Sequence, residues 1–367
     1  MPAVLLVGNL LSGSLGIRSV SEDLALRLAH AGWDVTATST RRPRVRRLAD
    51  MLATVWRHRR RYQVANVEVF SGAAFVWAEL VCLALRRLGK PYVLTLHGGN
   101  LPTFARRRPR RVARLLGSAA AVTAPSSYLV EAMRPYRSDI RLLSNPIDID
   151  TYFYRCRASP RPRLLWLRTF HPIYNPGLAP RTLALLLPER PDARLTMAGP
   201  DRNGCRRATT RAAEECGMLD QITFQGPMPK SEVPGWLAEG DIFLNTATVD
   251  NMPVTVLEAM AAGLVVISTR VGGVPFLASD GQDALLVPPD DPEAMASAIR
   301  RVLTEPDLGA ALSRQARARA ARCDWSVVLP QWEQLLTDVI RGETSDPPVH
   351  PAELGAPSLS SSAGPRG

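Results

Sequence analysis

The sequence predicts an α/β fold of two open, parallel-sheet units facing each other across a cleft. Three observations carry this reading. Strand-length apolar runs alternate with helix-length amphipathic segments, the pattern of parallel strands joined by crossover helices. The alternation breaks over the stretch YRCRASPRPR, near residues 148–162, and then starts again. The length of 367 residues suits two domains of ordinary size, and a hydrophobic content of 46% is enough for two cores.

In the first half, residues 4–7 of MPAVLLVGN read as a buried strand; the run lacks the basic n-region of a secretory signal. A loop rich in glycine and serine follows (Gly8, Ser12, Gly13, Ser14, Gly16). Next comes a helix over SVSEDLALRLAHAGW, with Leu24, Leu28 and Ala31 on one face. Residues 34–38 and 63–69 are strands, 72–88 a helix, and 92–96 a strand ending at His97, Gly98 and Gly99. The apolar run 72–86 is short and contains Glu79, so it predicts a buried helix and not a membrane span. Residues 120–124 form a further strand, and PSSYLVEAM opens a helix.

The second half repeats the pattern. Residues 163–167 are a strand, PGLAPRTLALLL a helix, and 194–198 a strand closing on Gly199. Strands at 221–224 and 242–245 bracket the helix SEVPGWLAEG. A helix led by Pro253, the strands LVVIST and ALLV, and a helix over 292–304 complete the unit, with Asp290 and Asp291 placed to cap that last helix. Residues 325–341 form a final helix with Val328, Trp332, Leu335 and Val339 on one face. The tail 342–367 is rich in Pro, Ser, Gly and Ala and is expected to be disordered. The division is therefore 1–155, 156–324, a last helix and a tail.

The five cysteines (Cys82, Cys156, Cys205, Cys216, Cys323) are scattered and form no C-x-x-C pair, which argues against a disulfide framework or a zinc site and fits a reducing cytoplasm. The net charge of +11 is concentrated in two places. Residues 41–61 hold nine arginines and one acid, and 106–114 hold six arginines, leaving the remainder slightly acidic. Leu48, Met51, Leu52, Val55 and Trp56 recur at helical spacing within the first patch. Such a helix either lies on an anionic membrane surface or packs on the sheet with solvated arginines around it. Nucleic-acid binding is disfavoured, because the basic runs lack interleaved aromatics and no recognised binding motif appears.

The most specific stretch, residues 250–273, reads DNMPVTVLEAMAAGLVVISTRVGG. Asp250 and Glu258 stand eight positions apart across the expected helix start. Pro253 suits the first turn, and Asp250 and Asn251 are capping residue types. Val256, Leu257, Met260 and Ala261 supply the apolar face, and Gly263 ends the helix. Both acids then border a pocket at the positive end of the helix dipole, where anions bind well.

This string resembles the acidic-x7-acidic signature of retaining glycosyltransferases of family 4, which have the GT-B fold. The Glu-Ala-Met-Ala run, the following Gly, the apolar strand and the Val-Gly-Gly all fall where that family has them. The resemblance runs from residue 1 to about 341. It implies two Rossmann-like domains, with the last helix crossing back to the first. It also implies transfer of a sugar from a nucleotide-sugar donor, a UDP-sugar by default. The acceptor would be a glycan or lipid-linked molecule in polysaccharide, lipopolysaccharide or glycolipid synthesis, with no metal or other cofactor. The expected place is cytoplasmic, with residues 41–61 and 106–114 as the candidate contact with the inner face of an anionic membrane.

The resemblance also assigns roles. Arg168, in WLRTF, grips the donor diphosphate; Glu258 accepts from the ribose hydroxyls. Asp250 and the backbone of Asn251, Met252 and Val254 contact the hexose, and His97 reaches the sugar near the reacting carbon. His97, Arg168, Asp250 and Glu258 are the candidate catalytic residues. Gly13, Gly16, Gly98, Gly99 and Gly199 belong to donor binding, as does Gly226 with Met228 in the segment that reads the base through its backbone. Asp148 and Asp150, in SNPIDID, match a structural loop at the start of the linker, so no metal site is expected there. Retention in such enzymes is usually described as front-side displacement, in which the leaving phosphate helps deprotonate the acceptor hydroxyl.

Four departures stand out. The first acid is Asp250 where Glu is usual, and Pro253 replaces a Gly. Phe276 replaces a Glu, and HPIYNPG lacks the expected Lys, with Asn175 or Ile173 in its region and Arg202 as a candidate substitute. They keep open a catalytically degenerate GT-B protein that binds nucleotide without turnover.

Overall fold

Two six-stranded sheets, parallel throughout, make up the frame of the computed structural model, which describes residues 1–10, 19–41, 43–202, 204–215 and 217–343. Gly13, Gly16, Cys216 and the tail from residue 344 lie outside the described residues. The first unit runs β1 (Ala3–Val7), α1 (Val20–His30), β2 (Asp34–Thr38), α2 (Arg44–Arg57), β3 (Val64–Val69) and α3 (Ala73–Arg87). It continues with β4 (Tyr92–Leu96), α4 (Leu101–Arg107), α5 (Pro109–Gly117), β5 (Ala121–Ala124), α6 (Ser127–Met133) and β6 (Arg141–Leu142). The strand order is β2-β1-β3-β4-β5-β6, so the order reverses between β1 and β3. Strands β1, β4 and β5 are buried along their whole length, which is why they read as unbroken apolar runs.

The second unit runs β7 (Arg163–Leu167), α7 (Leu178–Leu186), β8 (Arg194–Ala198), α8 (Cys205–Glu215), β9 (Ile222–Phe224), α9 (Val233–Ala238) and β10 (Ile242–Asn245). Then come α10 (Val254–Ala261), β11 (Val265–Thr269), α11 (Val274–Leu277), β12 (Leu285–Val287), α12 (Pro292–Thr304), α13 (Leu308–Ala321) and α14 (Trp325–Arg341). The order β12-β11-β10-β7-β8-β9 reverses between β7 and β10. Open parallel sheets bind ligands beyond the carboxyl ends of their strands at such reversals. Arg168 follows β7 and the 250–258 segment follows β10, so the signature sits at the second reversal.

The last helix belongs to the first sheet. Trp325, Val328, Trp332, Leu335, Leu336 and Val339 of α14 join Val4, Leu6, Leu24, Leu28 and Trp33 in one buried cluster. Trp33 Nε1 donates to Glu333 Oε1 at 3.1 Å. The opposite face of the same sheet is covered by α2 through α6. The chain therefore crosses between the units twice, and the two crossings are tied together. Ile147 N donates to Cys323 O at 2.9 Å, and Trp325 N donates to Ile147 O at 3.0 Å.

The arginine- and proline-rich stretch between the sheets is no loose tether. The Arg157 side chain is fully buried and donates to the carbonyls of Arg155 (2.6 Å), Gly240 (2.9 Å) and Ala262, beside the Asp241 carboxylate. Burial depresses its pKa to about 10, with Arg155 adding and Asp241 opposing. The packed alternative describes most of α2: Met51 and Val55 are buried and Leu48 and Leu52 half-buried. Trp56 departs from it. It is 60% exposed, with the Arg59 guanidinium 4.5 Å from its ring centre. Among the described residues no helix is long and apolar enough to cross a membrane.

Candidate functional site

The predicted signature helix forms as α10, with one correction at its start. Pro253 is the N-cap, without a side-chain cap, and neither Asp250 nor Asn251 caps the helix. The Asp250 carboxylate instead accepts from its neighbour Asn251 N (2.9 Å) and pairs with Arg168. A buried carboxylate gains more from a cation than from an amide cap. The far end is as expected. Gly263 has φ +77° and donates to Met260 O (3.0 Å), and Leu264 donates to Ala259 O (3.0 Å), a Schellman closure. Asp291 caps α12 as expected, accepting from Ala294 N at 2.9 Å.

Each acid of the signature carries its own cation. Arg168 Nη2 pairs with Asp250 Oδ2, and the Arg168 guanidinium lies 4.4 Å from the centre of the Tyr174 ring. Burial works against the charge of Arg168, but Asp250, helped by Tyr174 and Glu258, more than offsets it and raises its pKa. Arg168 Nε is buried without a partner among the described residues. Glu258 is only 3% exposed. Its Oε1 accepts from Tyr152 Oη at 2.9 Å and lies 3.0 Å from Lys230 Nζ. Burial, with Glu258 adding, raises the Tyr152 pKa, so the phenol stays a donor.

The glycines of this region owe their identity to close packing about these residues. A Cβ on Gly272 would collide with Asp250 O, and one on Gly273 with Asn251 O. Gly273 N donates to Asp250 O at 3.1 Å, so the Val-Gly-Gly run lies directly against the acid's backbone. A Cβ on Gly199 would collide with Arg168 O. Gly226 sits beside it, accepting from Gly199 N at 3.0 Å. Met228 and Val254 are half-buried against the core of this unit.

The opposite wall is built on the carboxyl ends of β1, β3 and β4. His97 stacks on Phe70, with ring centres 5.0 Å apart. Its Nε2 is buried without a hydrogen-bond partner among the described residues, 3.6 Å from Glu68 Oε1. Burial lowers the His97 pKa, and Glu68 opposes that in part. The Glu68 side chain is only 7% exposed: Ser21 Oγ donates to Oε1 and Asn9 N donates to Oε2 at 3.0 Å. Gly8 leaves the room for it, since a Cβ there would collide with the Glu68 carboxylate.

The two walls meet at the signature. Gly99 packs against Val249 and Asp250 O so tightly that a Cβ would come within 2.8 Å of Val249 Cγ1. Gly98 has φ +86°, a backbone shape that suits glycine. The Ser126 hydroxyl donates to Asn251 Oδ1, and Asn145 Nδ2 donates to Met252 O at 3.1 Å. Asn251 and Met252, expected to contact the donor, thus serve the seam between the domains in this structure. Phe276 joins the same seam, its ring 6.3 Å from that of Tyr128.

The structure brings Arg168, Asp250 and Glu258 into one cluster and sets His97 on the facing domain. In the region of the expected lysine, Asn175 Nδ2 donates to Asp290 Oδ1 at 3.0 Å. Arg202 is exposed beyond β8, its backbone N donating to Phe170 O. The second cation at the signature is Lys230, paired with Glu258; the sequence reading missed this lysine along with Tyr152, Tyr174 and Glu68. Lys230 follows Gly226 in the same loop, a proximity that was the available signal. The Asp148–Asp150 pair is structural at its first member, which pairs with Arg27.

Comparison with known proteins bears on both halves. The family described as Glycosyl transferases group 1 matches residues 161–305, and Glycosyltransferase Family 4 matches residues 16–151. The D-inositol 3-phosphate glycosyltransferase of Thermobispora bispora is 26% identical over 323 residues, 80% of this chain and 76% of that one. The enzyme of the same name from Streptomyces avermitilis is 26% identical over 272 residues, 66% of this chain and 58% of that one. In fold, the chain is similar to sucrose-phosphate synthase from Thermosynechococcus elongatus (TM-score 0.79, 19% identity, 94% of this chain and 100% of that one). It is also similar to Anabaena HepE in complex with UDP and glucose (TM-score 0.72, 18% identity, 92% of this chain and 100% of that one).

Proposed function

This chain belongs to glycosyltransferase family 4 and has the GT-B fold, and we propose that it is a retaining, metal-independent enzyme with a UDP-sugar donor and a glycan or lipid-linked acceptor. It is a glycosyltransferase that draws on a nucleotide-sugar donor. The observation that carries the finer reading is the pairing at the second sheet reversal: two buried acids, Asp250 and Glu258, each with its own cation. On this reading Glu258 takes the ribose diol, Asp250 the hexose, and Arg168 the diphosphate, where negative charge builds as the sugar leaves. His97 approaches the sugar from the facing domain. The leaving phosphate takes the acceptor proton, so no further base is called for on the donor wall.

Two observations bear on the acceptor, and they point different ways. The relatives named above act, by name, on D-inositol 3-phosphate, an anionic polyol. The outer surface of α2 adds an observation that favours a lipid-linked acceptor at an anionic membrane. It exposes Val45 and Trp56 among Arg44, Arg46, Arg57 and Arg60, and Arg106, Arg107, Arg108 and Arg110 are exposed on the α4–α5 segment. Flotation with vesicles of an anionic phospholipid tests it: binding that falls in Trp56→Ala supports the lipid surface, and absence of binding leaves a soluble anionic acceptor.

The donor assignment is tested by calorimetric titration of UDP, GDP and ADP, without metal, into the wild type and Glu258→Ala. The expected result is selective binding of UDP, weakened about tenfold or more in the variant, or about 1.4 kcal/mol. NMR of the glycosidic product then reads the anomer. An inverted linkage overturns retention, and absence of turnover with intact UDP binding returns the degenerate reading.

A further inference from the structure

We propose that Lys230 is the second diphosphate-binding cation of the donor site, exchanging its partner Glu258 for a phosphate oxygen when the ribose of the donor arrives. The proposal rests on the donor-site reading above and deepens it.

Charge is the first argument. Asp250 and Glu258 are both buried, and Arg168 alone would leave that cluster one charge negative before an anionic diphosphate enters. Like charge in a buried site repels strongly. Lys230, 3.0 Å from Glu258 Oε1, brings two acids and two cations into balance. The region that should have supplied this cation holds Ile173, which carries no charge, and Asn175, whose side chain is engaged with Asp290. Arg202 is exposed, and no side-chain contact ties it to either acid among the described residues.

Order along the donor is the second argument. A nucleotide sugar runs base, ribose, diphosphate, hexose. With ribose on Glu258 and hexose on Asp250, the diphosphate must lie between them. Arg168 flanks that interval at the Asp250 end and Lys230 flanks it at the Glu258 end. The buried, unpartnered Arg168 Nε is a donor that an anion in this interval would satisfy.

The exchange itself follows from the side chains. The lysine side chain is 39% exposed, so its ammonium sits on a flexible stem with room to move. Tyr152 holds Glu258 independently at 2.9 Å, so the carboxylate keeps its place when Lys230 leaves. The ribose diol then donates to the oxygens that Lys230 gave up, and the ammonium turns to the phosphate. No bond is made or broken.

The test separates phosphate from nucleoside. UDP is titrated by calorimetry, and uridine by NMR, which reads millimolar affinity, into wild type, Lys230→Ala, Lys230→Arg and Arg202→Ala. The expected outcome is UDP affinity lowered about tenfold or more in Lys230→Ala, since a hydrogen bond to a charged group is at stake. Lys230→Arg restores most of it, while uridine binding is unchanged throughout and Arg202→Ala matches wild type. Equal weakening of UDP and uridine in Lys230→Ala overturns the proposal, because Lys230 would then merely steer Glu258. Unchanged UDP binding in that variant, or weakening in Arg202→Ala instead, also overturns it. Failure of the wild type to bind UDP, GDP or ADP is a different result: it removes the donor-site reading and this proposal with it.

Discussion

The two walls of the cleft follow opposite electrostatic plans. On the C-terminal wall every acid of the signature has a cation, Arg168 for Asp250 and Lys230 for Glu258. On the N-terminal wall the Glu68 carboxylate faces an imidazole whose Nε2 stops 3.6 Å away and has no hydrogen-bond partner among the described residues. The first plan balances its charges before any anion arrives and leaves one open donor, Arg168 Nε, among the described residues. The second plan has no such balance: among the described residues a buried imidazole nitrogen stops short of its acid, and a buried polar atom without a partner costs free energy. The difference teaches that the C-terminal wall is preorganised in charge, while the N-terminal wall leaves its acid and imidazole uncoupled.

That contrast can be broken from its strongest point downward. Arg168→Ala removes the cation where charge develops and strands Asp250. Donor turnover in steady-state assays should fall about 10²–10³-fold, and a loss under tenfold would move the leaving-group cation elsewhere. Tyr152→Phe keeps the ring but removes the hydrogen bond to buried Glu258. Denaturant unfolding of the unliganded protein should show a loss of about 1.5–3 kcal/mol; no loss would mean that Lys230 alone fixes the carboxylate.

The N-terminal wall gives a pH prediction. The His97 pKa is lowered from 6.5 in the folded protein, so the unfolded chain takes up its proton first as pH falls. Stability should be full above about pH 6.5 and decline below it until the folded value is reached. Thermal unfolding between pH 7.5 and 5 measures this. Glu68→Gln should steepen the decline, because Glu68 opposes the shift, and His97→Gln should flatten it. A slope unaltered by His97→Gln would show that other groups dominate. The smallest effect lies in the seam. Asn251→Ala removes the hydrogen bond from Ser126, worth about 1 kcal/mol, or about fivefold in the population of the closed arrangement. Small-angle scattering without ligand should show a more open particle; an unchanged curve would assign closure to Gly99 and Asn145.

Much of the frame was legible in the sequence, because parallel strands buried on both faces leave continuous apolar runs, as in β1, β4 and β5. The signature helix was legible for a similar reason: spacing and glycine both mark it locally. What escaped was contact between distant segments. Tyr152 meets Glu258 across 106 residues, and nothing in either neighbourhood announces the other. Lys230 and Glu68 are single charges in loop and strand, invisible until the fold brings Glu258 and His97 to them. The capping role expected of Asp250 failed for an instructive reason. Residue type gave the local option, and an arginine just beyond β7, distant in sequence, displaced it. Arg157 shows the same limit, since a stretch that reads as a polar linker holds a fully buried side chain.

The placement of α14 has a consequence for biosynthesis. Its Trp325, Trp332 and Leu336 complete the core over Val4, Leu6 and Leu28, yet the ribosome makes that helix after everything those residues belong to. The first-made domain therefore emerges with one apolar face covered only in part, by α1, and waits through the synthesis of the whole second domain for the rest of its cover. A premature stop before residue 325 would injure the domain translated first, leaving an exposed sheet for chaperones or proteases to find, while the second domain stood nearly whole.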